Sequence, residues 1–395
     1  MKLNTLFISI ALVASFVLVA CGAAPTPTPT APPPIKIGGG FALTGDESPL
    51  DLPAANGAKL AAKEINAAGG VLGRPIDLII HDSQYKMDVT AQIARKFVNQ
   101  DKVVAVIGFT DSDSVLASGL IIQNAGLPFI TAGATSPKLP SQIGDKMSLA
   151  CFGDNVQAAA GAEFSYKKFG KTAYLLWDND IEYTTLLARY FNARFTELGG
   201  NIVGLDSFED KATDFTAQIA KIKALPQPPD FYYVSAMPYN IGPLVKQFRQ
   251  AGLNLPIVGG DGYDTPDLIT QGGAAAENVY FSTHALMDAQ IGAPAVKKFM
   301  AAYKAEYGHD AENAFAALGY DTMYLMADAI KRAGSTDAAA IQKAIEGTKD
   351  FPGVTGSISF SADSRVPQKG VTIIQVKDGK FTLAEEVVPE KVPAP

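Results

Sequence analysis

Two groups of hydroxyl-bearing residues follow short apolar runs and have the chemistry to hold a small anion. The run from Val103 to Ile107 ends at Gly108, and Ser112 stands just beyond it. The run from Pro128 to Ile130 leads into Thr131-Ala132-Gly133-Ala134-Thr135. Serine and threonine hydroxyls donate hydrogen bonds, and a helix that begins near Ser112 adds free N–H groups and the positive end of a dipole. These residue types favour a carboxylate.

The two apolar runs predict neighbouring strands whose loops meet at one edge of a sheet. Ser112 and Ser114 stand where a helix N-cap is expected, ahead of Val115 and Leu116. A strand, a helix and a second strand in this order form a parallel pair. Ligands of open α/β sheets bind beyond the carboxyl ends of such strands. We therefore predict that this stretch forms half of a ligand-binding cleft.

The rest of the chain repeats the strand–helix alternation with short connections, which predicts a mostly parallel sheet covered by helices. The first helix is predicted over Ala54 to Ala68. Because 395 residues are too many for one ordinary core, two lobes of similar build are expected, joined near Cys151–Asn155. The helices predicted after Ala293 have no strand partners nearby and should return to the first lobe. The tail from Glu385 to Pro395 is predicted to be frayed.

Composition and charge exclude several classes of protein. The chain is 47% hydrophobic and 18% charged, which is typical of a globular protein. A net charge of −7 gives no basic surface for nucleic acid. Two cysteines cannot build a disulfide framework, and three histidines leave little for a multi-histidine metal site. We expect no metal, no cofactor and no nucleic-acid partner.

The pattern of the first 34 residues predicts a signal peptide for export, followed by a tether. Residues 1–20 have the charge and apolar pattern of a signal peptide, and residues 21–34 form a spacer rich in proline and threonine, of semi-rigid polyproline type. Leu18-Val19-Ala20-Cys21 resembles the lipobox of bacterial lipoproteins, which implies that Cys21 is acylated and anchors the chain to a membrane. The alternative is an ordinary secretory signal with a chance cysteine.

Several motifs stand in the order typical of one family of transport receptors. They are Ile35 to Gly38, Leu43-Thr44-Gly45, Glu64 to Arg74, Val106 to Gly108, Gly133 to Pro137 and Val258 to Gly262. Over roughly residues 35–376 the chain resembles the branched-chain amino-acid (leucine, isoleucine, valine) type of periplasmic substrate-binding protein of ABC transporters, in a lipoprotein form. The run from Glu64 to Arg74 is the most specific of these motifs.

The resemblance implies a fold and a division of the chain. The fold class is α/β, periplasmic-binding-protein-like of type I: two doubly wound parallel-sheet lobes, joined by a three-segment hinge, close on one ligand like a Venus flytrap. The implied N-terminal lobe comprises residues 35–153 and 285–365, and the implied C-terminal lobe comprises residues 154–284 and 366–395.

The resemblance also assigns ligand-binding roles. Ser112 and the loop of Gly133, Ala134 and Thr135 would bind the α-carboxylate and the ammonium of an amino acid. Asp261 would pair with the ammonium; its alternative is a simple Asp-Gly turn. Tyr183 would contact the ligand from the second lobe. Because Thr184-Thr185-Leu186 replaces a Gly-x-Gly pattern and the loop is one residue longer, packing of Tyr183 within its own lobe is the alternative.

Three departures from the family pattern concern ligand specificity. Leu50 stands where many relatives carry an aromatic residue, and Met237-Pro238-Tyr239 replaces a loop rich in glycine and tyrosine. Asp111 and Asp113 flank Ser112, where small neutral residues are usual. A loop aspartate commonly points to solvent. If Asp111 instead faces the cleft, it would oppose a free carboxylate and favour a cationic or amide-bearing ligand.

The function predicted is that of an extracytoplasmic, lipid-anchored, monomeric receptor that delivers a small amino acid to an ABC permease. Alternatives of the same fold bind an amide, a polyamine or an aromatic acid, or serve as the ligand-sensing domain of a membrane receptor. An enzyme is the rival class. Phe169-Gly170-Lys171-Thr172 is similar to a phosphate loop, but Ser165 stands at the position of its first glycine and the run precedes its strand. We therefore predict no catalytic residues.

Overall fold

The computed structural model describes residues 32–395 of the chain. The predicted signal peptide, Cys21 and most of the spacer lie outside these residues. The helices are α1 (Ser48–Ala67), α2 (Met87–Lys96), α3 (Ser112–Asn124), α4 (Leu139–Ile143), α5 (Asp154–Lys168), α6 (Glu182–Glu197), α7 (Thr216–Lys223), α8 (Pro238–Gln250), α9 (Pro266–Gly272), α10 (Pro294–Tyr307), α11 (Ala314–Ala333) and α12 (Ala338–Glu346).

Two large sheets and a small ribbon contain the strands. The strands are β1 (Ile35–Phe41), β2 (Ile76–Asp82), β3 (Ala105–Gly108), β4 (Phe129–Thr131), β5 (Met147–Leu149), β6 (Thr172–Asp178), β7 (Asn201–Phe208), β8 (Phe231–Ser235), β9 (Ile257–Gly259), β10 (Val279–Thr283), β11 (Phe351–Gly353), β12 (Gly356–Ile358), β13 (Val371–Lys377) and β14 (Lys380–Val387). We call the part built on β1–β5 the N-terminal lobe and the part built on β6–β10, β13 and β14 the C-terminal lobe.

The N-terminal lobe contains a parallel sheet in the order β2-β1-β3-β4-β5. Gly40 of β1 lies opposite Gly108 of β3, and Gly108 lies opposite Thr131 of β4. These three strands therefore end in one row, and the loops that follow them leave the sheet side by side. The predicted pairing of the two apolar runs as parallel neighbours is confirmed.

The C-terminal lobe contains seven strands in the order β14-β13-β10-β9-β8-β6-β7. Strand β13 runs antiparallel to both of its neighbours, β10 and β14, and Val371 of β13 pairs with Val387 of β14. Beyond β14, the Nδ2 atom of Asn155 donates a hydrogen bond of 2.8 Å to the carbonyl of Pro393. The prediction of a frayed tail from Glu385 is therefore wrong, because the tail first continues the sheet and then packs against α5.

Helix α1 begins six residues earlier than predicted, at Ser48 instead of Ala54. A proline inside a helix removes the N–H that would bond to the carbonyl four residues before it. Here Pro53 leaves the carbonyl of Pro49 free, and that carbonyl accepts a hydrogen bond of 2.9 Å from Nδ2 of Asn313. A residue distant in the chain thus compensates for the proline, which sequence periodicity could not reveal.

Helix α11 packs against α1 and brings the later part of the chain back to the N-terminal lobe. The two backbones approach so closely that a Cβ atom on Gly319 would lie 1.9 Å from the carbonyl oxygen of Ala54. The start of α11 consequently reaches the row where β1, β3 and β4 end. Within residues 32–395, no helix is both long enough and apolar enough to cross a membrane.

Candidate functional site

A cavity lined by buried residues lies between the two lobes. Its lining residues are Glu47, Leu50, Thr110, Asp111, Ser112, Gly133, Thr135, Tyr183, Met237, Asp261, Gly262 and Phe315. All but one of the predicted ligand-binding residues are in this set. The exception is Ala134, which is buried behind the wall, with its amide donating to Oγ1 of Thr131 and its carbonyl accepting from the thiol of Cys151.

The loop between β3 and α3 is held in an uncommon backbone conformation. Phe109 has a φ of 49°, in the left-handed region that bulky residues rarely adopt. Its amide donates a hydrogen bond of 2.6 Å to the carbonyl of Gly40, and its carbonyl accepts one of 2.7 Å from Oγ1 of Thr131. These two bonds fix the turn, and the turn presents Thr110, Asp111 and Ser112 to the cavity.

The loop after β4 is tied to the loop after β3. The Thr131 hydroxyl, which bonds to Phe109, also accepts from the amide of Ala134 at 3.0 Å. The amide of Ser136 donates to Oγ of Ser112 at 3.3 Å. Among the described residues, no hydrogen bond uses the hydroxyl proton of Ser112, so it is available to a ligand oxygen.

Gly133 and Phe315 meet at the wall of the cavity. A Cβ atom on Gly133 would lie 2.7 Å from Cε1 of the Phe315 ring. Glycine is therefore required where the ring of Phe315 covers the loop. Sequence reasoning missed Phe315, because its contribution depends on the return of α11 to the first lobe.

The N-cap of α3 is Asp111, not one of the two predicted serines. Oδ1 of Asp111 accepts a hydrogen bond of 3.0 Å from the amide of Ser114. Its other oxygen, Oδ2, is buried with no hydrogen-bond partner among the described residues. Asp111 is only 6% exposed and faces the cavity. Burial raises the pKa of its carboxyl group.

Glu47 is a second buried acid that the sequence analysis did not identify. It immediately precedes α1, is 2% exposed, and its Oε2 atom has no hydrogen-bond partner among the described residues. Burial, followed by the nearby carboxylates of Asp111 and Asp51, raises its pKa well above the usual value. Asp51 lies outside the cavity lining and accepts bonds from the amide of Ala42 and the hydroxyl of Thr110.

In the C-terminal lobe, Asp261 follows β9 and is held from two directions. Oδ1 accepts from Nε2 of Gln157 at 2.9 Å, and Oδ2 lies 3.0 Å from Nε2 of His284. Burial lowers the pKa of His284, so a neutral imidazole donates its Nε2–H to the carboxylate. The imidazole also stacks on Phe152, with ring centroids 3.8 Å apart. No role for His284 was predicted from the sequence.

Tyr183 stands at the start of α6 and faces the cavity. Its hydroxyl accepts a hydrogen bond of 3.0 Å from the amide of Gly262, next to Asp261. Burial raises the pKa of the Tyr183 phenol well above its usual value, so it remains a neutral donor. Leu50 and Met237, each 2% exposed, add apolar surface from the two lobes.

Contacts between the lobes close the cavity. Oδ2 of Asp113 accepts a hydrogen bond of 3.2 Å from the amide of Glu182, which opens α6. At the surface, Nζ of Lys211 lies 2.8 Å from Oδ2 of Asp46. The site is thus a buried cavity between the lobes, lined by hydroxyl donors, three carboxyl groups and apolar side chains. This lining suits a small molecule that carries both a positive and a negative charge.

Comparisons with known proteins agree with this architecture. A family model described as "Periplasmic binding protein" matches residues 34–380. The chain is 27% identical over 331 residues to the Leucine-, isoleucine-, valine-, threonine-, and alanine-binding protein of Pseudomonas aeruginosa, covering 83% of each chain. It is 26% identical to Leu/Ile/Val-binding protein homolog 1 of Brucella abortus, covering 89% of this chain and 94% of the relative.

Two solved structures share the fold closely. The leucine-binding protein LivK of Thermotoga maritima is 32% identical with a TM-score of 0.83, over 90% of this chain and 99% of LivK. The branched-chain amino acid transporter substrate-binding protein LivJ of Streptococcus pneumoniae, solved in complex with isoleucine, is 33% identical. Its TM-score is also 0.83, over 90% of this chain and all of LivJ.

Proposed function

This chain belongs to the periplasmic binding protein family, and we propose that it captures a small amino acid, branched-chain or related, between its lobes for delivery to an ABC importer. The predicted family and the type I fold class are confirmed by the family model and by the likeness to LivK and LivJ. The family is one of solute-binding proteins, and its members act outside the cytoplasm.

The observation that carries the proposal is the meeting of four side chains from two lobes at one buried cavity. Ser112 and Thr135 come from the N-terminal lobe, and Tyr183 and Asp261 come from the C-terminal lobe. In the proposed complex the hydroxyls hold the ligand's carboxylate, and Asp261 pairs with its ammonium. Because both lobes contribute, the ligand stabilises the closed state through its higher affinity for that state.

Two relatives support an amino acid as the ligand class. LivJ was solved with isoleucine, and the Pseudomonas aeruginosa relative is named for five small amino acids. In this chain Leu50 and Met237 supply apolar surface beside the charged groups. A few charge-assisted hydrogen bonds with such a surface are sufficient for a micromolar dissociation constant, which corresponds to about −8 kcal/mol.

The remaining parts of the proposal concern the chain outside the cavity. We propose that the receptor is monomeric, performs no catalysis and docks on a membrane permease. We further propose acylation at Cys21 after removal of residues 1–20, with residues 21–34 as the tether. The lobes are assigned as residues 35–153 with 285–365, and residues 154–284 with 366–395.

A thermal-denaturation panel tests the proposed function. A ligand that binds only the folded state raises the melting temperature by an amount that grows with the logarithm of its concentration above Kd. The full chain is melted with each of the twenty amino acids, and with putrescine, acetamide and benzoate as members of the alternative ligand classes. We expect a rise in melting temperature with at least one amino acid. A rise with none of the amino acids contradicts the proposal.

A further inference from the structure

Two carboxyl groups in the cavity have no partner that explains their burial. Glu47 Oε2 and Asp111 Oδ2 are both buried without a hydrogen bond among the described residues, and both residues line the cavity. The third acid, Asp261, differs because Gln157 and His284 hold its two oxygens. The proposed pairing of Asp261 with an ammonium therefore leaves Glu47 and Asp111 without a role.

Neither of these two unpaired carboxyl oxygens caps a helix or makes another hydrogen bond among the described residues. Glu47 stands at the N-cap position of α1, yet its side chain makes no capping hydrogen bond. Asp111 caps α3 with Oδ1 alone. The two residues follow β1 and β3, which are neighbours in the sheet, so their side chains enter the cavity from adjacent loops.

Among the described residues, the cavity lining offers no lysine or arginine charge to balance these acids. Lys211, near the cleft, is 2.8 Å from Asp46 at the surface. A buried carboxylate is costly unless it is paired with a counter-charge or hydrogen-bonded. An amino acid with a neutral side chain brings one ammonium, and Asp261 already accommodates it.

We propose that the cleft is built for an amino acid whose side chain ends in a cationic group, an ammonium or a guanidinium, held by Glu47 and Asp111. This inference rests on the proposed function and names the ligand class for the same site. The α-carboxylate binds at Ser112 and Thr135, and the α-ammonium binds at Asp261.

The hydroxyl groups of Ser112 and Thr135 in the cavity wall favour a basic amino acid over a diamine. Ser112 has an unused hydroxyl proton and stands in the first turn of α3, where a helix favours an anion. A diamine has no carboxylate to place there. Cadaverine, which is lysine without its carboxylate, is therefore the matched probe for this part of the proposal.

Calorimetry with matched ligands tests the inference on the wild-type full chain. L-norleucine has the carbon chain of L-lysine without the terminal ammonium, and L-citrulline is a neutral analogue of L-arginine. We expect lysine to bind at least tenfold more tightly than norleucine, or arginine at least tenfold more tightly than citrulline. Binding of norleucine, isoleucine or leucine as tightly as both basic amino acids overturns the inference but leaves the proposed function standing. Cadaverine binding as tightly as lysine overturns the amino-acid assignment.

Two variants test whether Glu47 and Asp111 bind the cationic group of the ligand's side chain. Glu47→Gln and Asp111→Asn keep the size of each side chain, and the asparagine retains an acceptor for the α3 cap. We expect each to reduce the ratio of basic to neutral ligand affinity at least tenfold. The exposed control Glu277→Gln should leave the ratio within twofold of wild type. An unchanged ratio in both cavity variants contradicts the placement. No binding of any amino acid to wild type overturns both the inference and the proposed function.

Discussion

The Nε2 atom of His284 lies 3.0 Å from Oδ2 of Asp261, and both side chains are almost completely buried. Gln157 holds the other oxygen of the same carboxylate. These two donors fix the plane of the carboxylate, and each oxygen retains a lone-pair direction for a ligand ammonium. His284 is therefore a positioning residue for the proposed ammonium site.

Substitution of His284 tests that positioning. His284→Phe keeps an aromatic ring against Phe152 but removes the donor to Asp261, so we expect roughly tenfold weaker binding of the ligand, within the usual cost of an unsatisfied buried acceptor. His284→Gln retains an N–H donor and should recover most of the affinity. Calorimetry on both variants provides the measurement. Equal loss in the two variants would contradict the hydrogen-bond role.

Removal of the Ser112 hydroxyl tests the proposed carboxylate site. Hydrogen bonds to a charged group contribute about 1.5–3 kcal/mol, so Ser112→Ala should weaken ligand binding roughly 10- to 150-fold. The exposed Ser141→Ala is the matched control and should bind as wild type does. Fluorescence or calorimetric titration measures both. Wild-type affinity in Ser112→Ala would remove Ser112 from the site.

Thr131 links the two loops that form the N-terminal wall, and its hydroxyl can be removed without a large change of shape. Thr131→Val leaves the carbonyl of Phe109 and the amide of Ala134 without this partner. Each unsatisfied buried group costs about 1–3 kcal/mol. We expect a loss of that order in the free energy of unfolding, measured by urea denaturation. The exposed Thr270→Val should unfold within about 0.5 kcal/mol of wild type.

The stability of the chain should depend on the titration of Asp113. Burial and the neighbouring Asp111 raise the pKa of Asp113 from 3.8 to about 7. A carboxyl group whose pKa is raised in the folded state contributes its full stabilisation at pH values below its unfolded-state pKa. That contribution is lost as the pH rises through the folded-state pKa of about 7. Asp113→Asn keeps an acceptor for the Glu182 amide and removes the titration.

Melting temperatures at pH 5.5 and pH 8 measure this contribution. The decrease between the two pH values should be smaller in Asp113→Asn than in wild type. Other groups titrate in both proteins, including His284, whose lowered pKa has the opposite effect, so the comparison uses the difference between variant and wild type. An identical decrease in the two proteins would contradict the assignment to Asp113.

The part of the site that depends on neighbouring strands could be predicted from sequence. Short apolar runs identify β3 and β4, and parallel strands end at one sheet edge, so Ser112 and Thr135 were expected together. The predicted N-cap of α3, Ser112 or Ser114, was wrong, because serine and aspartate are both good caps and Asp111 takes the position. In the structure Oγ of Ser112 accepts from Ser136 instead, which leaves the cap to Asp111.

The residues that sequence reasoning missed depend on contacts between distant parts of the chain. Phe315 reaches the cavity only because α11 packs on α1. Glu47 precedes a helix that begins six residues before its predicted start, and Asn313 compensates for the proline inside that helix. His284 follows β10 in the sheet that carries Asp261, and no local pattern indicates that the two side chains meet.

The most direct test of the account is a calorimetric titration of the wild-type full chain and of Asp261→Ala, side by side, with L-isoleucine and L-lysine. Loss of one partner of a charge pair in an interface costs about 2–5 kcal/mol. We expect one ligand per wild-type chain and at least roughly 30-fold weaker binding to the variant. Asp363→Asn, at an exposed position, should behave as wild type does. Binding to Asp261→Ala with wild-type affinity, or binding of neither amino acid to the wild type, would contradict it.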